Sequence, residues 1–116
     1  MTTQRSPITT HVLDLSLGKP AAGIDVRLAR LGMDGFEELA RGTTDADGRV
    51  TTLLAPGTLR AGTHRLTFEV APYFARAQRS AFYPVVELVF AVERTDEHFH
   101  VPLLLSPFGY STYRGS

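Results

Sequence analysis

The chain has 116 residues and a mass of 12.7 kDa, enough for one domain with one core and too little for two. Twelve basic residues balance twelve acidic ones, so no net field draws it to nucleic acid or a membrane surface. Cysteine is absent, which excludes disulfides, thiolate metal sites and a cysteine nucleophile together.

Hydrophobic content of 43% and charged content of 21% are ordinary for a globular domain. No uncharged apolar run approaches the roughly 20 residues that a membrane helix needs. The opening residues, Met1 to Pro7, lack the apolar stretch of a secretory signal. One domain over residues 1–116 and a cytoplasmic location are therefore expected.

In chain order, Thr9 to Leu17 reads as a strand with His11, Leu13, Leu15 and Leu17 on one face, stopped by Gly18-Lys19-Pro20. Ile24 to Leu31 alternates, with Ile24, Val26, Leu28 and Arg30 on one side and Asp25, Arg27 and Ala29 on the other. A hairpin-like loop over Gly32 to Gly35 leads to a weaker strand, Phe36 to Thr44. The acidic turn Asp45-Ala46-Asp47-Gly48 ends that strand, with glycine where positive φ is needed. Arg49 to Leu54 resumes a strand until Pro56-Gly57. Thr63 to Val70 alternates with Leu66, Phe68 and Val70 together, and His64, among polar neighbours, reads as exposed. Ala71 to Ala81 is the helical candidate, stopped by Tyr83-Pro84. Val85 to Val92, Phe99 to Leu105 and Gly109 to Tyr113 complete eight short strands at regular spacing. That pattern predicts an antiparallel β-sandwich, because a parallel βαβ fold needs far more helix.

The candidate chemistry gathers at strand ends: His11, Arg49, His100 and the closing Tyr113-Arg114-Gly115-Ser116. Taken singly, each has an ordinary explanation, since a histidine at a strand start is usually structural and an arginine usually solvated. Spacing does not bring them together. His98 and His100 share a strand face and could offer two imidazoles to zinc, but only Glu97 is at hand as a further ligand, on the wrong parity. No metal site is expected. Ser106, Ser111 and Ser116 lie in no G-x-S-x-G elbow, no glycine loop cradles phosphate, and no basic-aromatic surface suits nucleic acid.

Five segments together carry a resemblance: His11-Val12-Leu13-Asp14, Asp47-Gly48-Arg49, Phe82-Tyr83-Pro84, His100 to Pro107 (HVPLLLSP), and Tyr110 to Ser116 (YSTYRGS). In order, spacing and extent the chain resembles the transthyretin-related family, and within it the 5-hydroxyisourate hydrolases of purine breakdown. The terminal YRGS discriminates, because the hormone-carrying transthyretins are similar around Leu-Leu-Ser-Pro but lack it and the paired histidines. One minor departure is Val85-Val86, where relatives often carry an acidic residue.

The resemblance implies an all-β, transthyretin-like antiparallel β-sandwich of two four-stranded sheets with one short helix, assembled as a homotetramer, a dimer of dimers. It implies hydrolysis of 5-hydroxyisourate in urate degradation, with no cofactor and no metal. His11 and His100 would share water activation and proton delivery, and Arg49 would clamp the substrate and hold the histidines neutral. Ser116 would orient water or a histidine through its hydroxyl or carboxylate, while Tyr113, Arg114 and Gly115 would shape the pocket. The alternative is a non-catalytic, transthyretin-like carrier of a small aromatic ligand.

Overall fold

The computed structural model describes residues 5–116. The strands are β1 (Ile8–Asp14), β2 (Lys19–Pro20), β3 (Asp25–Gly32), β4 (Gly35–Thr43), β5 (Arg49–Val50) and β6 (Gly62–Glu69), then helix α1 (Ala71–Arg76), and β7 (Val85–Val92), β8 (Phe99–Ser106) and β9 (Gly109–Thr112). They form two sheets. One runs β4-β3-β6-β7 and is antiparallel throughout. The other runs β2-β1-β8-β9, with β5 also on β1.

Alternation explains the layering. Ile8 and Val12 from β1 and Phe99, Val101, Leu103 and Leu105 from β8 are buried against Val26, Leu28, Leu66, Phe68, Val86 and Leu88 of the opposing sheet. Burying side chains of this size stabilises by about 1.5–3 kcal/mol each before entropy is counted. Both faces of β8 are largely covered, and so its sequence reads as a continuous apolar run.

Several features depart from the sequence-based expectation. The sheet of β1 has five strands rather than four, because β5 pairs the first half of one β1 edge and the two-residue β2 the second. Its central pair, β1 with β8, is parallel. The chain crosses the whole sandwich between these strands, a connection that local alternation does not reveal. The buried face of β1 is Ile8, Thr10, Val12 and Asp14, so Leu15 and Leu17, beyond the strand end, are exposed. The strand after Gly48 keeps only Arg49 and Val50. Helix α1 stops at Arg76 because Gln78 takes φ 56° and Arg79 donates its amide to the Phe74 carbonyl at 2.9 Å, a left-handed C-terminal cap.

His64 is also corrected. It is fully buried, on the parity of Leu66 and Phe68, with its ring stacked on Phe90 and Nδ1 3.0 Å from the Gly62 carbonyl oxygen. The polar neighbours that suggested exposure occupy the opposite face of β6.

Candidate active site

The site starts from a turn. Asp45 Oδ1 accepts the amides of Asp47 at 2.9 Å and Arg49 at 3.0 Å, and Gly48 closes the turn at φ 74°. A Cβ on Gly48 would stand 2.5 Å from the Val12 carbonyl oxygen, so this backbone approach requires glycine. Val12 donates its amide to the Gly48 carbonyl at 2.8 Å. The resulting register sets Arg49 opposite His11.

On the other edge of β1, parallel pairing sets Thr9 opposite His100. Thr9, His11 and His100 therefore lie on the outer face of this sheet, away from the core side chains of the same strands. The Thr9 hydroxyl is 2.9 Å from His98 Nε2 and 2.9 Å from His100 Nδ1. Thr9, Arg49, Thr51, His98, His100, Ser116 and Arg5 line a cavity of about 300 Å³.

The tail folds back over β8. Gly115 donates its amide to the His100 carbonyl at 2.8 Å in a single antiparallel bridge. A Cβ at Gly115 would meet His100 Cδ2 at 2.7 Å, so the imidazole occupies the space that the missing side chain leaves. Ser116 reaches the cavity as a result. Arg114 goes the other way: its guanidinium lies 4.4 Å over the Phe99 ring and donates to Glu97 Oε1 at 3.1 Å and to the His98 carbonyl at 3.4 Å. Tyr113 lines a separate, largely apolar cavity of about 250 Å³ with Arg114, Phe90, Phe99 and Val101. Within one chain the structure thus gathers His11, Arg49, His100, Gly115 and Ser116, and leaves Tyr113 and Arg114 outside the histidine cavity.

The electrostatics favour neutral imidazoles. His100 is held below the ordinary histidine value by burial first, then by Arg49, His98, His11 and Arg5. His11 is lowered by burial and by Arg49, against the opposing pull of the Asp47 backbone and the carboxylates of Asp45 and Asp47. His98 is lowered by burial and Arg5. The Arg49 guanidinium forms no ion pair among the described residues, which leaves its planar fork of donors open to a ligand. No group of three or more His, Asp or Glu side chains is placed to hold a metal ion among the described residues. Uncharged bases beside a cation can activate water and stabilise developing negative charge.

The HIUase/transthyretin family model matches residues 8–115. The chain belongs to that family. It is 46% identical over 118 residues to a 5-hydroxyisourate hydrolase of Mus musculus, covering 100% of both chains. Among solved structures it is similar to Klebsiella pneumoniae 5-hydroxyisourate hydrolase, with TM-score 0.80 and 42% identity over 98% of this chain and 100% of that one. It is also similar to sea bream transthyretin in complex with thyroxine, with TM-score 0.89 and 30% identity over 95% of each chain. A hydrolase and a thyroxine-bound transthyretin thus match the same backbone, and function has to be argued from side chains.

Sequence reasoning missed Arg5, Thr9 and Thr51 in the cavity wall, and weighed His98 only as a metal ligand. Alternation from His11 to Thr9 was a usable signal, because two residues along a strand return to the same face. For Arg5 and Thr51 no comparable signal exists.

Proposed function

We propose that this chain hydrolyses 5-hydroxyisourate to 2-oxo-4-hydroxy-4-carboxy-5-ureidoimidazoline, a step of urate degradation, using histidine-activated water and an arginine clamp. The observation that carries the reading is the convergence of Arg49, His98, His100 and Ser116 on one polar cavity, with His11 directly beside Arg49. The hydrolase relatives, matched along their full length, support the same substrate.

In the proposed reaction a neutral imidazole of the His11–His100 pair takes a proton from water, and the hydroxide so formed adds to a ring carbonyl carbon. Arg49 stabilises the oxyanion. The carbon–nitrogen bond then breaks, and the imidazolium returns its proton to the leaving nitrogen. Each group needs only the charge state its surroundings already favour. Ser116 orients the water or a histidine.

Assembly as a homotetramer belongs to the same proposal. Exposed Val85 and Val89 on the edge strand β7 and Tyr110 on the edge strand β9 form apolar edges of the kind that pair between copies. Tyr113 and Arg114 would shape a pocket shared between subunits rather than the cavity of their own chain.

The carrier reading rests on the high TM-score to the thyroxine-bound transthyretin. The polar lining of the histidine cavity argues against it, since a carrier of an aromatic ligand needs an apolar channel. Substitution of His100 by asparagine tests the proposal. His100→Asn is expected to lower turnover at least about 100-fold with the oligomer unchanged in light scattering. Turnover near the parent rate would overturn the role given to His100.

A further inference from the structure

The Thr9 hydroxyl holds both histidines of β8 and its approach at once, on a residue that is 3% exposed. It has one proton and accepts through its lone pairs. If both ring nitrogens faced it with lone pairs, one would have no partner. If both faced it with N–H groups, the hydroxyl proton would be left without an acceptor in a buried place, which costs about 1–3 kcal/mol. The satisfied arrangement is directional: one ring donates to Thr9, and Thr9 donates to the other.

Geometry exposes one ring nitrogen, and the proposed chemistry then chooses the direction. The Cδ2 edge of His100 packs on Gly115 and its Nδ1 points at Thr9. That leaves Nε2 as the nitrogen without a hydrogen-bond partner among the described residues, on a ring that lines the cavity. Water activation needs a lone pair there, so the proton must sit on Nδ1. A free neutral histidine side chain in water prefers the opposite tautomer, with the proton on Nε2. Something must therefore hold His100 in the less common form.

We propose that Thr9 is a positioning residue which, with His98 as its acceptor, fixes His100 as the Nδ1–H tautomer: His100 Nδ1–H donates to Thr9 Oγ1, and Thr9 Oγ1–H donates to His98 Nε2. His98 then carries its own proton on Nδ1. The register supports this relay at its His100 end, because Thr9 is paired opposite His100 in the parallel ladder. Burial and the nearby guanidiniums of Arg5 and Arg49 keep His100 neutral, the condition under which a tautomer choice exists. The inference rests on the hydrolase reading: the two 2.9 Å contacts call for a directional relay, and the need for a lone pair on His100 Nε2 sets which way it runs.

The test is nitrogen-15 magnetic resonance of the full chain labelled at histidine, beside steady-state hydrolysis of 5-hydroxyisourate, for the parent, Thr9→Val and Thr9→Ser. The parent should show His100 protonated on Nδ1. Thr9→Val should move that proton to Nε2 and lower kcat about tenfold or more with KM changed little, while Thr9→Ser should restore both. His98→Ala, acting from the far end of the relay, should shift the same tautomer. A parent His100 protonated on Nε2, or a Thr9→Val variant with an unchanged tautomer, overturns the proposal, as does a tautomer shift without loss of kcat. Absence of turnover in the parent would instead refute the hydrolase reading, and the parent and Thr9→Val spectra would still decide the hydrogen-bond direction.

Discussion

Gly115 and His100 show how narrowly the tail is fitted to the site. Replacing Gly115 by alanine puts a methyl group where the imidazole stands, 2.7 Å from Cδ2, and the ring must turn away from Thr9. Gly115→Ala is expected to lose about tenfold or more in kcat while its thermal unfolding midpoint stays within a few degrees of the parent; a loss of fold would contradict that assignment. The pH profile is a second test. His11, His98 and His100 all have values lowered from 6.5, so the base is already neutral at pH 7. The acid limb of kcat/KM should have its midpoint below 6.5 and activity should hold level from there through neutrality. A midpoint above 6.5 would mean that a partner stabilises the charged ring. At this scale the sequence offered His11, Arg49 and His100 as candidates, and it was the resemblance that grouped them, because His11 lies in the middle of β1 rather than at its end. Thr9 was legible only through its parity with His11, since a threonine in a strand is ordinary.

At the scale of elements, helix α1 is joined to β1 by a buried carboxylate. Asp14 accepts from Arg79 at 2.6 Å, from Tyr73 at 2.7 Å and from Ser16 at 2.5 Å. Burial raises the Asp14 value, but hydrogen bonds from Arg79, Ser16 and Tyr73 outweigh it and bring it down to about 2, while burial and Asp14 push Tyr73 up to about 12. The folded carboxyl lies below its unfolded value of 3.8, so its stabilisation is complete above 3.8 and is lost as pH falls toward 2. Asp14→Asn should therefore cost roughly 2–3 kcal/mol, read as a lower denaturant midpoint at pH 7, and the gap to the parent should shrink below pH 3. Equal midpoints at pH 7 would contradict the role given to this network. The helix start at Ala71 was readable, with Pro72 in the first turn. Its end was not, because the residue that takes the left-handed conformation is Gln78 rather than glycine. Arg79, inside the span Ala71 to Ala81 expected to be helical, is drawn past the cap onto Asp14.

At the scale of the molecule, the site exists because β1 and β8 lie side by side in parallel. That pairing spans nearly the whole sequence, and no local pattern encodes it. Strand count, alternation and turn chemistry were enough for a sandwich, but the resemblance across five separated segments was needed to place His11 beside His100. The same topology is shared with both the thyroxine-bound transthyretin and the Klebsiella pneumoniae hydrolase, so the backbone alone does not choose between the two readings. In the proposed reading, the polar outer face of one sheet and the tail that closes on it carry the chemistry. The most direct test is the ultraviolet decay of freshly generated 5-hydroxyisourate with the intact chain, with a variant ending at Thr112, and with buffer alone. The account predicts accelerated decay with the intact chain and the spontaneous rate with the shortened one. Decay at the spontaneous rate with both would contradict it and favour the carrier.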